Sequence, residues 1–258
     1  MIVDYHVHLR DADGLIAHEA GAVEPFVETA AARGVDEIGF TEHVYYFRQT
    51  REIWAHPYES ERCVYDLDSY CDAVLDAKRR GLPVKLGLEV DYVGGLQPRL
   101  AELLEPYPWD YLLGSVHMID GLAFDQLPGI WAGHSVEEVW AAYFSALAEL
   151  AASGYVDVLA HPDLAKIFDR RPREPAAFYP ELHGVALEIS TAGLRKPVGE
   201  LYPDPALLRG RPITLASDAH SPDLVGEDFD QAVALARAAG YETVTVFEGR
   251  RARQEPLG

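Results

Sequence analysis

Nearly every strand-like run in this chain ends on a side chain that can bind a metal. His6 and His8 close Asp4-Tyr5-His6-Val7-His8, and His43 closes Thr41-Glu42-His43. Glu89 lies in Gly87-Leu88-Glu89-Val90, His117 follows Gly114-Ser115-Val116, and His161 opens His161-Pro162-Asp163. Asp218 and His220 end Ser217-Asp218-Ala219-His220. Side chains alternate along a strand, so His-x-His places two imidazoles on one side. Groups at the C-terminal ends of parallel strands converge on one face, where metal-assisted chemistry is done.

The runs themselves alternate in type. Strand-like segments cover residues 2–9, 37–43, 84–92, 111–118, 156–161, 185–191 and 213–217, with a last apolar segment at 243–247. Helical periodicity covers 24–33, 67–80, 96–104, 136–153, 228–239 and a short stretch at 205–208. Gly34, Gly81, Gly154 and Gly240 stand where helices end, and Ser135 with Glu138 reads as a capping box. Alternating strand and helix predicts parallel βαβ units in an α/β domain. An open doubly wound sheet gathers its site at one switch point, whereas here almost every strand contributes a polar tip. That pattern predicts a closed, TIM-like barrel of seven strands in a single domain spanning 1–258. Residues 45–66 read as a long irregular loop, a lid or a binding loop. The polar tail 249–258 is expected to fray.

Charge and composition narrow the partners. The formal net charge of −20 disfavours long nucleic acids and acidic membrane surfaces. Cys63 and Cys71 are too few for a disulfide framework and are expected as reduced thiols. No basic-then-apolar leader and no membrane-length apolar run is visible, so a cytoplasmic protein is expected. His18, His56, His134 and His183 fall in loops or helices and are expected at the surface, with His18 and His56 able to line a cleft.

A set of eight or nine ligands exceeds what one tetrahedral ion needs. It suits two or three divalent ions sharing a carboxylate, for which Glu89 is the candidate. Nitrogen and oxygen ligands without cysteine favour Zn, Mn or Fe. Such clusters suit phosphate ester hydrolysis.

In this order, the motifs resemble those of the polymerase-and-histidinol-phosphatase (PHP) metallophosphoesterase superfamily. They are His-x-His, a Glu/Asp-His pair, a Glu, a His, a His-Pro and a late Asp-x-His, and they span residues 6 to 220. The resemblance implies a distorted (β/α)7 barrel with a trinuclear site. It also implies that His6, His8, Glu89 and Asp218 share one ion and that Glu89, His117 and His161 hold a second. The third would take His43, His220 and one residue after His-x-His. Related phosphatases often have a histidine there, where this chain reads Leu9-Arg10-Asp11-Ala12-Asp13-Gly14, leaving Asp13 or else Asp11.

Two further segments resemble the histidinol-phosphate phosphatases of histidine biosynthesis. One runs from Glu188 through Arg195 and Lys196 to Pro203, the other from His161 to Lys166. The implied substrate is a small phosphate ester, L-histidinol phosphate, and the implied activity is that of a metal-dependent phosphatase. Arg195, Lys196 and Lys166 are expected at the phosphate. Glu42, Asp163 and Glu188 are expected either at a substrate ammonium or behind a ligand histidine. Asp218 or His220 is expected to protonate the leaving group, with Arg195 neutralising charge on phosphorus. The alternative is a phosphodiesterase or exonuclease of the same fold acting on nucleotides or short oligonucleotides. An amidohydrolase or a non-catalytic module fits the late Asp-x-His and the full ligand set less well.

Overall fold

The computed structural model describes residues 1–10, 15–19, 21–119, 121–126 and 131–258. Asp11 and Asp13 lie outside the described residues. Seven parallel segments carry the fold: β1 (Val3–Val7), β2 (Glu37–Phe40), β3 with β4 (Val84–Leu86 and Glu89–Asp91), β5 (Leu113–Ser115), β8 (Val158–Leu159), β9 (Ala186–Ser190) and β10 (Ile213–Ala216). The expected run 84–92 is thus interrupted at Gly87 and Leu88. Likewise, 111–118 is shortened to β5 and a small antiparallel pair, β6 (Met118–Ile119) with β7 (Leu122–Ala123).

Two sheets result, ordered β1-β2-β3 and β10-β9-β8-β5-β4. Their edges are linked by main-chain bonds. His8 N donates to Ala219 O at 2.8 Å and Ala219 N to His6 O at 3.2 Å, beside a parallel bridge between Val7 and Ala219. At the other junction, Glu89 N donates to Glu42 O at 3.0 Å, beside a bridge between His43 and Glu89. Both junctions therefore fall on the candidate ligands.

Helices α1 (Glu24–Ala32), α3 (Leu67–Arg79), α4 (Gln97–Leu104), α5 (Val136–Ala152) and α7 (Phe229–Ala238) alternate with the strands, and α6 (Pro205–Leu208) is a single turn. The capping box forms as the sequence predicts: Ser135 Oγ accepts from Glu138 N, and the Glu138 carboxylate accepts from Ser135 N. Below the site, Tyr111 crosses β2 and β3 with its hydroxyl donating to Tyr5 O at 2.8 Å. Gly39 and Gly87 make this possible, since a Cβ at Gly39 would lie 1.9 Å from the Tyr111 hydroxyl oxygen. Tyr5, Tyr111 and Phe247 pack their rings 4.8–6.2 Å apart into an aromatic floor.

The tail does not fray. β11 (Thr243–Glu248) turns at Gly249 and Arg250, both at positive φ, into the antiparallel β12 (Arg251–Pro256). Such a two-residue turn matches strand twist. Residues 251–256 are polar because β12 is almost wholly solvent-facing, which hides it from hydrophobic patterning. Glu248 pairs with Lys78 and Lys85, tying the hairpin to the N-terminal ends of the strands.

Segment 45–66 is also more ordered than a bare loop. It holds two 3-10 turns (Val44–Tyr46 and Arg48–Ile53) and α2 (Pro57–Ser60). His18 is not a surface residue, as its ring stacks on Phe47 with centroids 5.6 Å apart. His56, His134 and His183 are exposed as expected, and both cysteines are free and buried. No helix among the described residues is long and apolar enough to cross a membrane.

Candidate metal centre

Glu89 stands at the centre of the strand ends. Its Oε1 faces His161 Nε2 at 3.2 Å and His117 Nε2 at 3.5 Å. Its Oε2 faces His43 Nδ1 at 2.6 Å, His6 Nε2 at 3.4 Å and His8 Nε2 at 3.7 Å. Asp218 Oδ1 lies 3.3 Å from His8 Nε2, 3.6 Å from His6 Nε2 and 3.4 Å from His220 Nδ1. Ligands about 2.1 Å from one ion are separated from each other by roughly 3.0–3.4 Å at octahedral and tetrahedral angles. Four of the eight spacings lie within that range, three exceed it by 0.1–0.3 Å, and His43 at 2.6 Å is closer. Glu89 Oε2 and His43 Nδ1 are buried 2.6 Å apart without hydrogen-bond geometry between them, as two ligands turned toward a shared ion would be.

Ligand-competent atoms gather in four overlapping groups: His6, His8 and Asp218; His6, Glu89 and His161; His8, His43 and His220; and His43, Asp91 and His117. Eight of the nine sequence candidates are therefore together, the ninth being Asp13. Asp91 is an addition that sequence reasoning missed. Its signal was Glu89-Val90-Asp91, a period-two repeat on one face of β4.

The rings are oriented from behind. His6 Nδ1 is 2.9 Å from Glu188 Oε2, which leaves Nε2 pointing at Glu89 and Asp218. Glu188 Oε1 also accepts from His161 N at 3.0 Å, so one carboxylate positions two candidate ligands. His117 Nδ1 meets Asp91 Oδ1 at 2.6 Å. Partners of this kind set the tautomer and raise ligand basicity. The pairing of β1 with β2 shifts register between Asp4 and Val7, the stretch that carries His6. His161 and Asp218 have left-handed backbones, φ 27° and 52°, a strained state for non-glycine residues. Tyr143 holds the first by donating its hydroxyl to His161 O at 3.1 Å.

The electrostatics follow from this crowding. Burial opposes ionisation of Glu89, but His43, His6 and His117 outweigh it and hold the carboxyl well below its ordinary range. Burial likewise opposes charge on His117, yet Asp91 and Glu89 lift its imidazole to about 10. Burial and the neighbouring His8 push His220 down to about 3, leaving a neutral imidazole able to donate a lone pair. Carboxylates that hold protons on clustered imidazoles offer the same field to a cation.

A cavity of about 210 Å³ opens onto the ligands, with His43, Glu89, His117, His161, Asp218 and His220 in its wall. Two cations, Arg10 and Lys196, also line it. Arg10 was missed in the sequence because a single arginine after His-x-His carries no pattern. The other expected phosphate contacts are elsewhere. Lys166 is buried, 2.9 Å from Asp163 Oδ2 and donating to Leu201 O at 2.8 Å. Arg195 donates to Ser217 O and pairs with Glu227 at 3.3 Å, so it braces the Asp218 turn and does not line the cavity. Glu42 is fully buried, 3.5 Å from His8 Nδ1. Its place is behind a ligand ring, as is that of Glu188.

Comparison with known proteins agrees with the geometry. A family model described as the PHP domain matches residues 4–192. The chain is 34% identical over 257 residues to the probable histidinol-phosphatase of Deinococcus radiodurans, covering 95% of this chain and 96% of that protein. It is 25% identical over 267 residues to the probable histidinol-phosphatase of Schizosaccharomyces pombe, covering 90% and 85%. Among solved structures, histidinol phosphate phosphatase from Lactococcus lactis, complexed with zinc, L-histidinol and phosphate, shares the fold with a TM-score of 0.69. That match has 22% identity and covers 98% of each chain. The motif order, the fold and these similarities together make the chain a member of the PHP family, in its histidinol-phosphatase branch.

Proposed function

We propose that this protein hydrolyses L-histidinol phosphate, a small phosphate monoester, using two or three divalent ions. The observation that carries this reading is the division of Glu89, whose two oxygens face two separate sets of imidazoles across a cavity that also holds Arg10 and Lys196. We infer further that the seven parallel strands, joined edge to edge at Val7–Ala219 and His43–Glu89, form a distorted (β/α)7 barrel. Zn, Mn or Fe suits the nitrogen and oxygen donors.

Glu89 would bridge, with His117 and His161 on one side and His6, His8 and Asp218 on the other. His43 and His220 would complete a third position, with Asp13 its expected partner. When bound, divalent ions supply charge to the phosphoryl oxygens and make water a competent nucleophile at neutral pH. The chain supplies the rest. Arg10 and Lys196 border the cavity where they can neutralise phosphoryl oxygens. Glu188, Asp91 and Glu42 hold the imidazoles from behind. The departing alkoxide needs a proton. Asp218 and His220, the sequence candidates for that role, border the cavity, but Asp218 is held well below the ordinary carboxylate range and His220 at about 3, so neither carries a proton to give at neutral pH.

The test is phosphate release from L-histidinol phosphate by purified protein, with chelation and Mn or Zn add-back, beside nucleotide esters and short oligonucleotides. Chelator-sensitive turnover of histidinol phosphate is expected. Turnover of nucleotide esters alone would replace the substrate and keep the metal site. No phosphate from any ester would remove the reading.

A further inference from the structure

Outside the ligand set, and away from the ligand histidines, Glu59 is a buried carboxylate with little to meet it. It lies in α2 with 5% of its surface exposed, and Oε2 makes no hydrogen bond. His56 Nδ1 is 3.5 Å away, but that nitrogen already accepts from Tyr58 N at 3.1 Å and has no proton to give. Among the described residues no lysine or arginine pairs with Glu59. A carboxylate only accepts hydrogen bonds, and one buried without a donor is costly. This one borders both the 210 Å³ cavity and a neighbouring cavity of about 500 Å³. Tyr45, Tyr46 and Tyr58 line the first cavity beside it, with Arg10 over the Tyr46 ring and Arg62 over the Tyr58 ring. An unmet carboxylate at the edge of a cavity suits an organic cation. Asp91, the other acid bordering both cavities, already faces His117.

We propose that Glu59 accepts the protonated amine of the substrate and thereby selects phosphate monoesters of amino alcohols. The inference rests on the phosphatase reading above and assigns recognition of the alcohol half to α2. Glu42, Asp163 and Glu188, the acids that the sequence offers for this task, are buried against the protein's own histidines, lysine and backbone.

The experiment compares L-histidinol phosphate with its deamino analogue, which keeps the imidazole and the phosphate, in wild type and Glu59→Gln. Wild type is expected to favour the amino ester. In E59Q the ratio of kcat/KM for the two esters should fall about 10- to 100-fold, the range for losing a hydrogen bond to a charged group. Calorimetric binding of L-histidinol, which lacks the phosphate, should weaken by a similar factor. A ratio unchanged in E59Q overturns the proposal, whether both activities persist or both fall in parallel. So does a wild type indifferent to the amine. Wild type inactive on both esters fails the phosphatase reading itself. A thermal melt confirms folding of E59Q, and E59D, which keeps the charge, should retain part of the preference.

Discussion

One cavity has two walls of different construction. The first is made of strand ends, where His6, Glu89, His161 and Asp218 sit on or just beyond seven parallel segments locked by main-chain bonds. The second comes from residues 45–66, held by short turns, one bridge between Phe47 and Tyr65, and side-chain bonds. Thr50 Oγ1 donates within 3.0 Å of Val44 O and Phe47 O and accepts from Trp54 Nε1 at 2.9 Å, while Cys63 Sγ donates to Tyr45 O at 3.2 Å. A strand end is positioned by register, so one polar residue there falls on one face. The second wall is positioned by packing that no local pattern announces. The first wall therefore suits chemistry that tolerates little displacement, and the second suits recognition of the part of a substrate that differs between esters.

The sharpest way to break this division is Glu89→Ala. One residue faces both sets of imidazoles, so activity should fall on the order of 10³-fold, the scale for deleting one preorganised electrostatic group. Bound metal measured on the same sample should fall with it; full metal content and normal turnover would show that the first wall is not the reactive one. Next is Glu188→Gln. It leaves every candidate ligand in place but loosens the orientation of His6 and His161, and a loss of about 10–100-fold in metal affinity or kcat is expected. A metal titration unchanged from wild type would separate Glu188 from the site. The smallest effect belongs to the second wall. Thr50→Val strands the Trp54 indole N–H, while Val44 O and Phe47 O keep their backbone donors, and it should cost about 1–3 kcal/mol in urea unfolding. Metal content should hold. If metal is lost as well, the two walls are one cooperative unit and the comparison fails.

Much of the first wall was legible in the sequence. Histidines and carboxylates at the ends of βα units announce themselves by spacing, and eight of the nine candidates do gather. Asp91 was missed although its period-two step from Glu89 was visible. Arg10 had no such signal, because a lone cation declares nothing about which cavity it faces. Arg195 and Lys166 are the opposite case. Their neighbours in sequence fit a phosphate site, but Arg195 turns to Glu227 and the Ser217 carbonyl, and Lys166 to Asp163. In a chain of net charge −20, a guanidinium or ammonium has many acidic partners, and distance alone decides among them.

By itself the sequence determined the alternation of strands and helices, the helix ends at Gly34, Gly81, Gly154 and Gly240, and the set of side chains at the strand tips. These depend on periods of two and 3.6 residues and on which residues accept a positive φ, all local properties. Tertiary structure alone decided the rest: the register shift of β1 beside His6, the carboxylates behind the rings, the pairing of the polar tail as β12, and the lone buried acid of α2. The first two set a group against a partner far away in the chain, and long-range pairing leaves no mark on local periodicity; β12 pairs with its neighbour but is too polar to read as a strand, and Glu59 is buried by tertiary packing.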